Sequence, residues 1–365
     1  MSYMFKCSAA LLSGLLALFV ISPACAEETP AQAKIVHAIN LALPLLQKSL
    51  EEYPRHNTCF SCHHQGIPMF ALSLAQKRGY LVDEKVMNAV VRQTTADLRT
   101  GLAAYSKGTG QPGGVTRAGY ALMALQSGGV KPEEITTAVA GYLLQNDKDK
   151  GFWKSASNRP PSEISSFTDT FLALYALKNY GIKAQAEGVK ERMGLARKWL
   201  ETTPTRETED RVFQLWGMTA AGSDKTEVQK AVKALLAEQN ADGGWAQLPH
   251  GESDAYATGS VLTALRAAGS LRMTNPGYLR GVDYLLKTQL PDGSWHVVSR
   301  SKPFQPYFES GFPHGRDQFI SMAASAWATA ALALASPAVD PKQPLLRASR
   351  AESKAKFNTL EVPIP

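Results

Sequence analysis

Six apolar segments with helical periodicity, repeated along the chain, constrain its fold most strongly. Successive segments lie roughly 40–70 residues apart, which is the spacing of two-helix repeats. More polar, amphipathic helices alternate with them, for example at residues 31–52, 227–238 and 278–287. Because a helix that is apolar all round is buried, the six segments are predicted to form an inner ring inside the amphipathic helices. They span residues 69–75, 118–125, 167–177, 211–221, 256–265 and 322–334.

Signals for β-structure are nearly absent from the sequence. It has no period-two runs, and no Asn-Gly or Asp-Gly pair joins two apolar strands. Several apolar segments are instead followed by a glycine, as helix C-caps are: Gly128, Gly181, Gly222 and Gly269. The sequence therefore predicts an all-α protein of six helix pairs.

Two loops that follow amphipathic helices share one template. Residues 239–245 and 289–295 both begin with Gln, contain Asp-Gly and end with Trp, and residues 145–153 are a looser copy. Asp-Gly favours a turn, and the tryptophan is expected to cap the helix end by stacking. These loops resemble the QW repeats of the squalene–hopene cyclase family. The resemblance implies that family's α/α toroid over most of the mature chain.

The resemblance does not extend to the family's catalytic motif. Hopene-forming cyclases protonate their substrate with an Asp-x-Asp-Asp motif, whereas residues 147–150 read Asp-Lys-Asp-Lys. The related protein prenyltransferases bind zinc through Asp, Cys and His, a set that this chain does not offer on its helices. We therefore expect neither activity. We predict that the inner helices pack against one another and leave a modest cavity, and a dedicated site for an apolar small molecule is the alternative.

A short cysteine motif lies between the first amphipathic helix and the first apolar segment. Cys59, Cys62 and His63 form Cys-x-x-Cys-His, which resembles the haem attachment signature of c-type cytochromes. The resemblance implies one covalent haem c, bound by two thioethers, with His63 as proximal iron ligand. A local disulfide, half of a zinc site and chance are the alternatives. A structural zinc site would need a second cysteine pair, which the sequence lacks.

The first 26 residues have the features of a secretory signal. Lys6 supplies the positive charge, residues 9–21 form a short apolar core, and residues 24–26 provide an Ala-x-Ala cleavage site. We expect export to the periplasm and no transmembrane segment after cleavage. Cleavage would remove Cys7 and Cys25 and lower the net charge from +7 to +6 (7 − 1 for Lys6). This charge is spread along the chain, so no nucleic-acid partner is expected.

These features divide the chain into four parts. Residues 1–26 are predicted to be the signal peptide and residues 27–56 the N-terminal outer helix. Residues 57–336 would form the toroid, beginning with the haem motif, and residues 337–365 would be a C-terminal tail.

The topology of a toroid places the haem motif on a definite rim. All inner helices of such a ring run the same way, so their N-termini share one rim with Cys59 and Cys62. Loops 248–256 and 307–318 reach the same rim, and each holds a histidine in a Pro/Gly turn. His314 is the candidate distal iron ligand, with His250 as the alternative, and Arg316 is predicted to pair with a haem propionate. Five other residues begin inner helices there, with capping as the expected role of the acids: Arg117, Asp169, Asp210, Asp254 and Asp317.

The resemblances together favour an exported monohaem c-type cytochrome on a toroid scaffold. Its expected role is electron transfer or haem-based sensing, with an unidentified redox partner protein. We therefore expect an electron carrier rather than an enzyme. Three alternatives remain. They are a haem oxidoreductase or peroxidase acting on a small apolar substrate, a cyclase-like lyase or isomerase, and a non-catalytic module that binds a hopanoid-like lipid in the toroid cavity.

Overall fold

The computed structural model describes residues 29–57, 59–268, 271–303 and 306–336. The predicted signal peptide and the predicted C-terminal tail lie outside the described residues. Helices account for 65% of the protein, which confirms the all-α prediction. The strands of the described part are two residues each, β1 (Trp245–Ala246) and β2 (Ser253–Asp254), and they pair antiparallel with Trp245 opposite Asp254.

The described part of the chain contains thirteen α-helices. A π-helical turn, Cys62–Gly66, leads directly into the second of them, and a 3₁₀ turn, Gly315–Asp317, leads into the last. In chain order the helices are α1 (Pro30–Glu52), α2 (Ile67–Lys77), α3 (Glu84–Thr100), α4 (Leu102–Ser106), α5 (Gly114–Ser127), α6 (Glu134–Gln145), α7 (Ser166–Tyr180), α8 (Ala186–Thr202), α9 (Thr208–Ala221), α10 (Lys225–Ala237), α11 (Ala255–Ala267), α12 (Pro276–Thr288) and α13 (Gln318–Ala335).

Six of these helices form a closed inner ring. Each of α2, α5, α7, α9, α11 and α13 packs against the next, and α13 packs against α2 to close the circle. The six predicted apolar segments all lie in these helices. The amphipathic helices α1, α3, α6, α8, α10 and α12 pack outside them, and α4 is a short addition between α3 and α5. The predicted alternation of apolar inner and amphipathic outer helices is confirmed.

The most apolar helix of the ring is α13. The helical stretch 315–335 is long and apolar enough to cross a membrane by length and composition, but 89% of its apolar window is buried inside the protein. Its Ala-rich surface, from Met322 to Ala333, packs against α2, α11 and α1. The apolar composition of α13 is thus accounted for by its place in the ring.

The predicted glycine C-caps are only partly present. Gly222 ends α9 in the left-handed conformation (φ +74°), which glycine adopts without strain. Gly128 keeps a negative φ, and it is the following Gly129 that takes φ +77°. Gly181 is extended, and Gly269 lies outside the described residues. The left-handed turn after α5 therefore falls one residue later than the sequence predicts.

The three tryptophan loops form one repeated structure. Trp153, Trp245 and Trp295 are fully buried, and each indole N–H donates to a carbonyl in the last turn of the preceding outer helix. The Nε1–O distances are 2.7 Å to Leu143, 2.7 Å to Leu235 and 2.9 Å to Leu285. Each tryptophan thus satisfies a carbonyl that the helix end leaves unpaired, rather than capping it by stacking.

The glutamine of each complete loop joins two neighbouring repeats. Gln239 donates to the carbonyl of Gly277 on α12 at 2.8 Å, and Gln289 donates to the carbonyl of Ala38 on α1 at 2.8 Å. The second contact links the last repeat to the first outer helix. The QW-like loops therefore fasten the outer layer, including the point where the ring closes.

Aromatic side chains fill the middle of the ring. Phe70 on α2 and Trp216 on α9 come from opposite helices, and their ring centroids are 5.8 Å apart. Trp327 on α13 lies 5.7 Å from Phe70 and 5.6 Å from Trp216, and Phe171 stacks on Trp216 at 4.9 Å. At this level the interior of the ring is packed with aromatic side chains. Binding of an apolar molecule elsewhere in the toroid stays a prediction.

Candidate functional site

The candidate site is a cavity of about 700 Å³ at the rim of the inner ring. Its walls come from residues 59–62 before α2, residues 112–117 at the start of α5 and residues 159–163 before α7. Segments 299–303 and 306–320, which approach α13, close the other side. The N-terminal ends of four inner helices, α2, α5, α7 and α13, therefore meet around one space, as a shared rim predicts.

Both cysteines of the predicted haem motif line this cavity. Cys59 is exposed, Cys62 is buried, and both thiols are free. Burial raises the pKa of the Cys62 thiol well above its usual value, and nearby Glu163 raises it further. His63 lies in the π-helical turn Cys62–Gly66. The structure thus places the cysteine motif at a space large enough for a ligand, and the role of His63 stays a prediction.

Four cationic side chains line the cavity, and two of them have carboxylate partners. Arg117 donates to both oxygens of Asp97, at 2.6 and 2.7 Å, and this pair is largely buried. Arg159 forms an ion pair with the buried Glu163, which also lines the cavity. The other two cations are Lys302 and Arg316, both exposed at the mouth. Arg316 therefore lies at the cavity, as its predicted role requires.

The structure brings Arg316 to the cavity but places His314 elsewhere. The Nε2 atom of His314 is 2.7 Å from Ser294 Oγ, and its ring stacks on His296 at 4.7 Å. Burial, and then the neighbouring His296, lowers the pKa of His314. Within the described residues, neither His314 nor His250 belongs to the cavity wall. Iron ligation by either one stays a prediction.

Two carboxyl groups lie fully buried behind the site. Asp169 accepts a hydrogen bond from Thr116 at 2.9 Å, and burial raises its pKa to about 7. Glu209 accepts from Thr168 at 3.0 Å and from the Tyr256 hydroxyl at 3.2 Å, and burial raises its pKa to about 8. Glu209 was not predicted as a site residue, although its position in the first turn of the apolar helix α9 was a signal that could have indicated it.

The remaining rim acids act mainly as caps and loop anchors. Asp254 caps α11 by accepting from the backbone N–H of Ala257 at 2.9 Å, and burial raises its pKa to about 6. Asp210 accepts from Ser165 at 2.6 Å. Asp317 accepts from the backbone N–H of Ser299 at 2.8 Å, and its other oxygen lies 2.9 Å from His296 Nε2. The capping role expected of these acids holds best for Asp254.

Comparison with known proteins supports the cyclase-like half of the sequence analysis. The model of the squalene-hopene cyclase C-terminal domain matches residues 183–343, less than half of the chain. The squalene–hopene cyclase of Bradyrhizobium diazoefficiens is 31% identical over a region that covers 31% of this chain and 18% of the relative. A probable squalene–hopene cyclase of Sinorhizobium fredii is 30% identical over 32% of this chain and 19% of its own length. The chain thus spans about a fifth of the length of these curated relatives.

Solved structures match over most of the chain. A variant of the type II terpene cyclase MstE from Scytonema, in complex with merosterolic acid A, aligns with a TM-score of 0.52 and 15% identity, covering 85% of this chain and 99% of that one. The chain has the α/α toroid fold of this cyclase. A possible member of the GH105 family from Salmonella enterica also aligns, with a TM-score of 0.50 and 13% identity over 89% of this chain and 98% of that one. Identities this low show the fold alone.

The prediction of an electron-transferring or haem-sensing cytochrome is wrong. The family match and the structural similarity point to a terpenoid cyclase-like fold, not to a cytochrome. The prediction gave a five-residue motif more weight than a repeat pattern that covers most of the chain.

Proposed function

We propose that the protein binds an isoprenoid-type lipid in the rim cavity. The observation that carries this proposal is the composition of the cavity wall, which combines about 700 Å³ of space with a buried apolar surface. Phe60, Cys62 and Ile320 line its inner part and are less than a tenth exposed. Sites for apolar small molecules are usually concave and mostly apolar, with a few polar groups that fix orientation.

The cyclase-like fold supports an isoprenoid as the ligand class. The solved structures of MstE contain merosterolic acid A in one case and geranylgeranyl dihydroxybenzoate in another, both held by a toroid of this kind. In the present chain Phe70, Trp216 and Trp327 fill the middle of the ring. A ligand of similar chemistry would therefore lie at the rim, where the cavity is.

Binding rather than cyclisation is proposed because the cavity offers no available acid. The chain lacks an Asp-x-Asp-Asp motif. In the described part, the carboxylates on the cavity wall are Glu163, which is paired with Arg159, and Asp317, which accepts from Ser299. The buried acids Asp169 and Glu209 are not part of the wall. Both carboxyl groups of the wall are thus already engaged by other groups of the protein, and neither is free to act as the proton donor to an alkene.

Filling the cavity should abolish lipid binding. Ser301 lines the cavity and donates to the carbonyl of Pro160 at 2.9 Å. We expect Ser301→Trp to weaken farnesol binding at least tenfold, because the indole would occupy space that the ligand needs. Ser301→Ala is the matched control, since it removes the same hydrogen bond and leaves the space open. Isothermal titration calorimetry measures both, and equal affinity of the two variants would contradict the proposed site.

Covalent haem is the second candidate for the same cavity. The observation that favours it is that Cys59 and Cys62 both line a space that also carries cationic side chains, among them Arg316. A porphyrin has an apolar body and two carboxylates, so these residues fit it. The thiols would hold the group, His63 is the predicted iron ligand, and Arg316 would pair with a propionate. Bound haem would supply oxidation chemistry toward a small apolar substrate.

Export through residues 1–26 is part of this second proposal, since haem attachment requires an exported chain. The test is expression in a host competent in cytochrome c maturation, followed by denaturation and a pyridine haemochrome spectrum. Haem that remains attached to the wild-type protein after denaturation would support haem as the occupant. The Cys62→Ser variant should then show the spectrum of haem bound through one thioether instead of two. Two free thiols in the exported protein would exclude it and leave the cavity to an exchangeable lipid.

A further inference from the structure

We infer that the ligand of the rim cavity carries an anionic head group and that Lys302 and Arg316 select it. This inference rests on the proposed lipid site and adds to it the chemical class of the head group. The group is a carboxylate or a phosphate, both of which present anionic oxygens to a cation. The apolar part of the ligand would occupy the buried end of the cavity, and the head group would lie at its mouth.

The charge balance of the wall leaves two cations without a partner. The wall carries four cations and two carboxylates, Glu163 and Asp317, and Asp97 behind the wall brings the carboxylates to three, a surplus of one cation (4 − 3). Arg159 is paired with Glu163, and Arg117 is paired with Asp97 from behind the wall. Among the described residues, Lys302 and Arg316 form no ion pair. Both therefore remain available to an anion at the mouth.

The two carboxylates of the wall do not oppose an anion strongly. Glu163 is nearly completely buried and its charge is balanced by Arg159. Asp317 accepts from the backbone N–H of Ser299 at 2.8 Å and lies 2.9 Å from His296. Glu309 lies near the mouth as well, where it accepts from the Tyr307 hydroxyl. A carboxylate that already accepts hydrogen bonds has part of its charge compensated, so these acids oppose an anion less than free carboxylates would.

Exposure differs along the wall of the cavity, and its buried part combines apolar residues with the polar Thr116, Ser162 and Glu163. Cys62 and Ile320 are at most 9% exposed, whereas Tyr307 is 52% exposed at the mouth. Lys302 and Arg316 are also exposed, beside Tyr307 on the two segments that approach α13. The exposed cations favour one orientation of an amphipathic molecule. Its apolar part lies inward and its charged part outward.

The helices around the cavity add to the positive potential. The N-terminal ends of α5 and α13, which are 14 and 18 residues long, both contribute to the wall. Neither end is capped by a side chain, because Gly113 has none to offer and the carboxylate of Asp317 is used elsewhere. The N-terminal end of a helix carries a partial positive charge, which favours anions nearby.

Competition between three farnesyl probes tests this inference. Farnesoic acid, farnesyl monophosphate and the neutral farnesol share one apolar chain and differ in the head group. We expect the wild-type protein to bind the better anion roughly fivefold to tenfold more tightly than farnesol at low salt, with the preference shrinking as salt is raised. The double variant Lys302→Gln/Arg316→Gln should lose the preference while keeping its affinity for farnesol. The anionic probe whose affinity falls more in the double variant, relative to the wild type, shows whether the head group is a carboxylate or a phosphate.

A charge-matched double variant on the outer layer serves as control. Lys225→Gln/Lys233→Gln removes two exposed lysines of α10, away from the cavity wall, and should leave every affinity unchanged. Equal affinity of the wild type for farnesol and both anions would overturn the head-group inference and leave the lipid site intact. If none of the three probes binds, the proposed lipid site fails, and the inference fails with it.

Discussion

Trp295→Ala should lower the free energy of unfolding by about 3–5 kcal/mol, the range typical of deleting a large buried aromatic side chain. Trp295 is 1% exposed, and its indole N–H donates to the carbonyl of Leu285 at 2.9 Å. Its backbone N–H also donates to Ser325 on α13 at 3.0 Å, so the residue joins an outer helix to the inner ring. The substitution would leave a cavity and an unpaired carbonyl at the end of α12. Urea unfolding followed by circular dichroism measures the effect.

Two further variants separate packing from hydrogen bonding at this position. Trp295→Phe keeps an aromatic ring but removes the N–H donor, so it should cost less than the alanine variant. Trp199→Ala removes a tryptophan that is only half-buried, where it stacks on Phe152 and Phe167. If Trp295→Ala lowers the free energy of unfolding no more than Trp199→Ala does, the QW-like loop does not stabilise the packing of the outer layer as its geometry indicates. Trp245→Ala should repeat the effect, because Trp245 makes the same pair of contacts.

The stability of the protein should fall as the pH rises from about 4 to 8, the interval between the unfolded and folded pKa values of two buried carboxyl groups, and should level off above it. Burial raises the pKa of Glu209 from 4.5 to about 8 and that of Asp169 from 3.8 to about 7. A carboxyl group with a raised pKa in the folded state stabilises the protein fully below its unfolded pKa. That contribution is lost as the pH rises through the folded value, because the charged form is buried without a cation. Each unit of pKa difference corresponds to about 1.4 kcal/mol, so the total effect is several kcal/mol.

Removing the titrating groups should flatten this pH dependence. Glu209→Gln and Asp169→Asn keep an oxygen that accepts the hydrogen bonds of Tyr256, Thr168 and Thr116, but they carry no charge at any pH. We expect the melting temperature of each variant to change less than that of the wild type between about pH 4 and 8. Glu191→Gln, an exposed acid on α8, is the control and should titrate like the wild type. A wild-type melting temperature that rises over this range would refute the assignment.

The repeat pattern was sufficient to predict the fold. Helical periodicity in six apolar segments and the Gln…Asp-Gly…Trp loops depend on local composition and spacing, which a sequence displays directly. Helices α2, α5, α7, α9, α11 and α13 contain those segments. Their ring closes where α13 packs against α2, and Gln289 links the outer layer to α1 at the same point. The function predicted from Cys59, Cys62 and His63 was wrong. Three residues carry little information about the chemistry of a whole chain.

The sequence by itself determined the alternation of helices, the position of the tryptophan loops and the presence of the cysteine motif at an inner-helix N-terminus. Only the tertiary structure decided which cationic side chains of the rim cavity have no carboxylate partner and can bind an anion. Arg117 meets Asp97, which lies 20 residues away, and Arg159 meets Glu163, so Lys302 and Arg316 are left at the mouth. It also decided that Glu209 is buried and that aromatic rings from opposite helices close the middle of the ring. The physical reason is that periodicity fixes which face of a helix is buried, whereas the partner of a side chain depends on how distant helices are brought together.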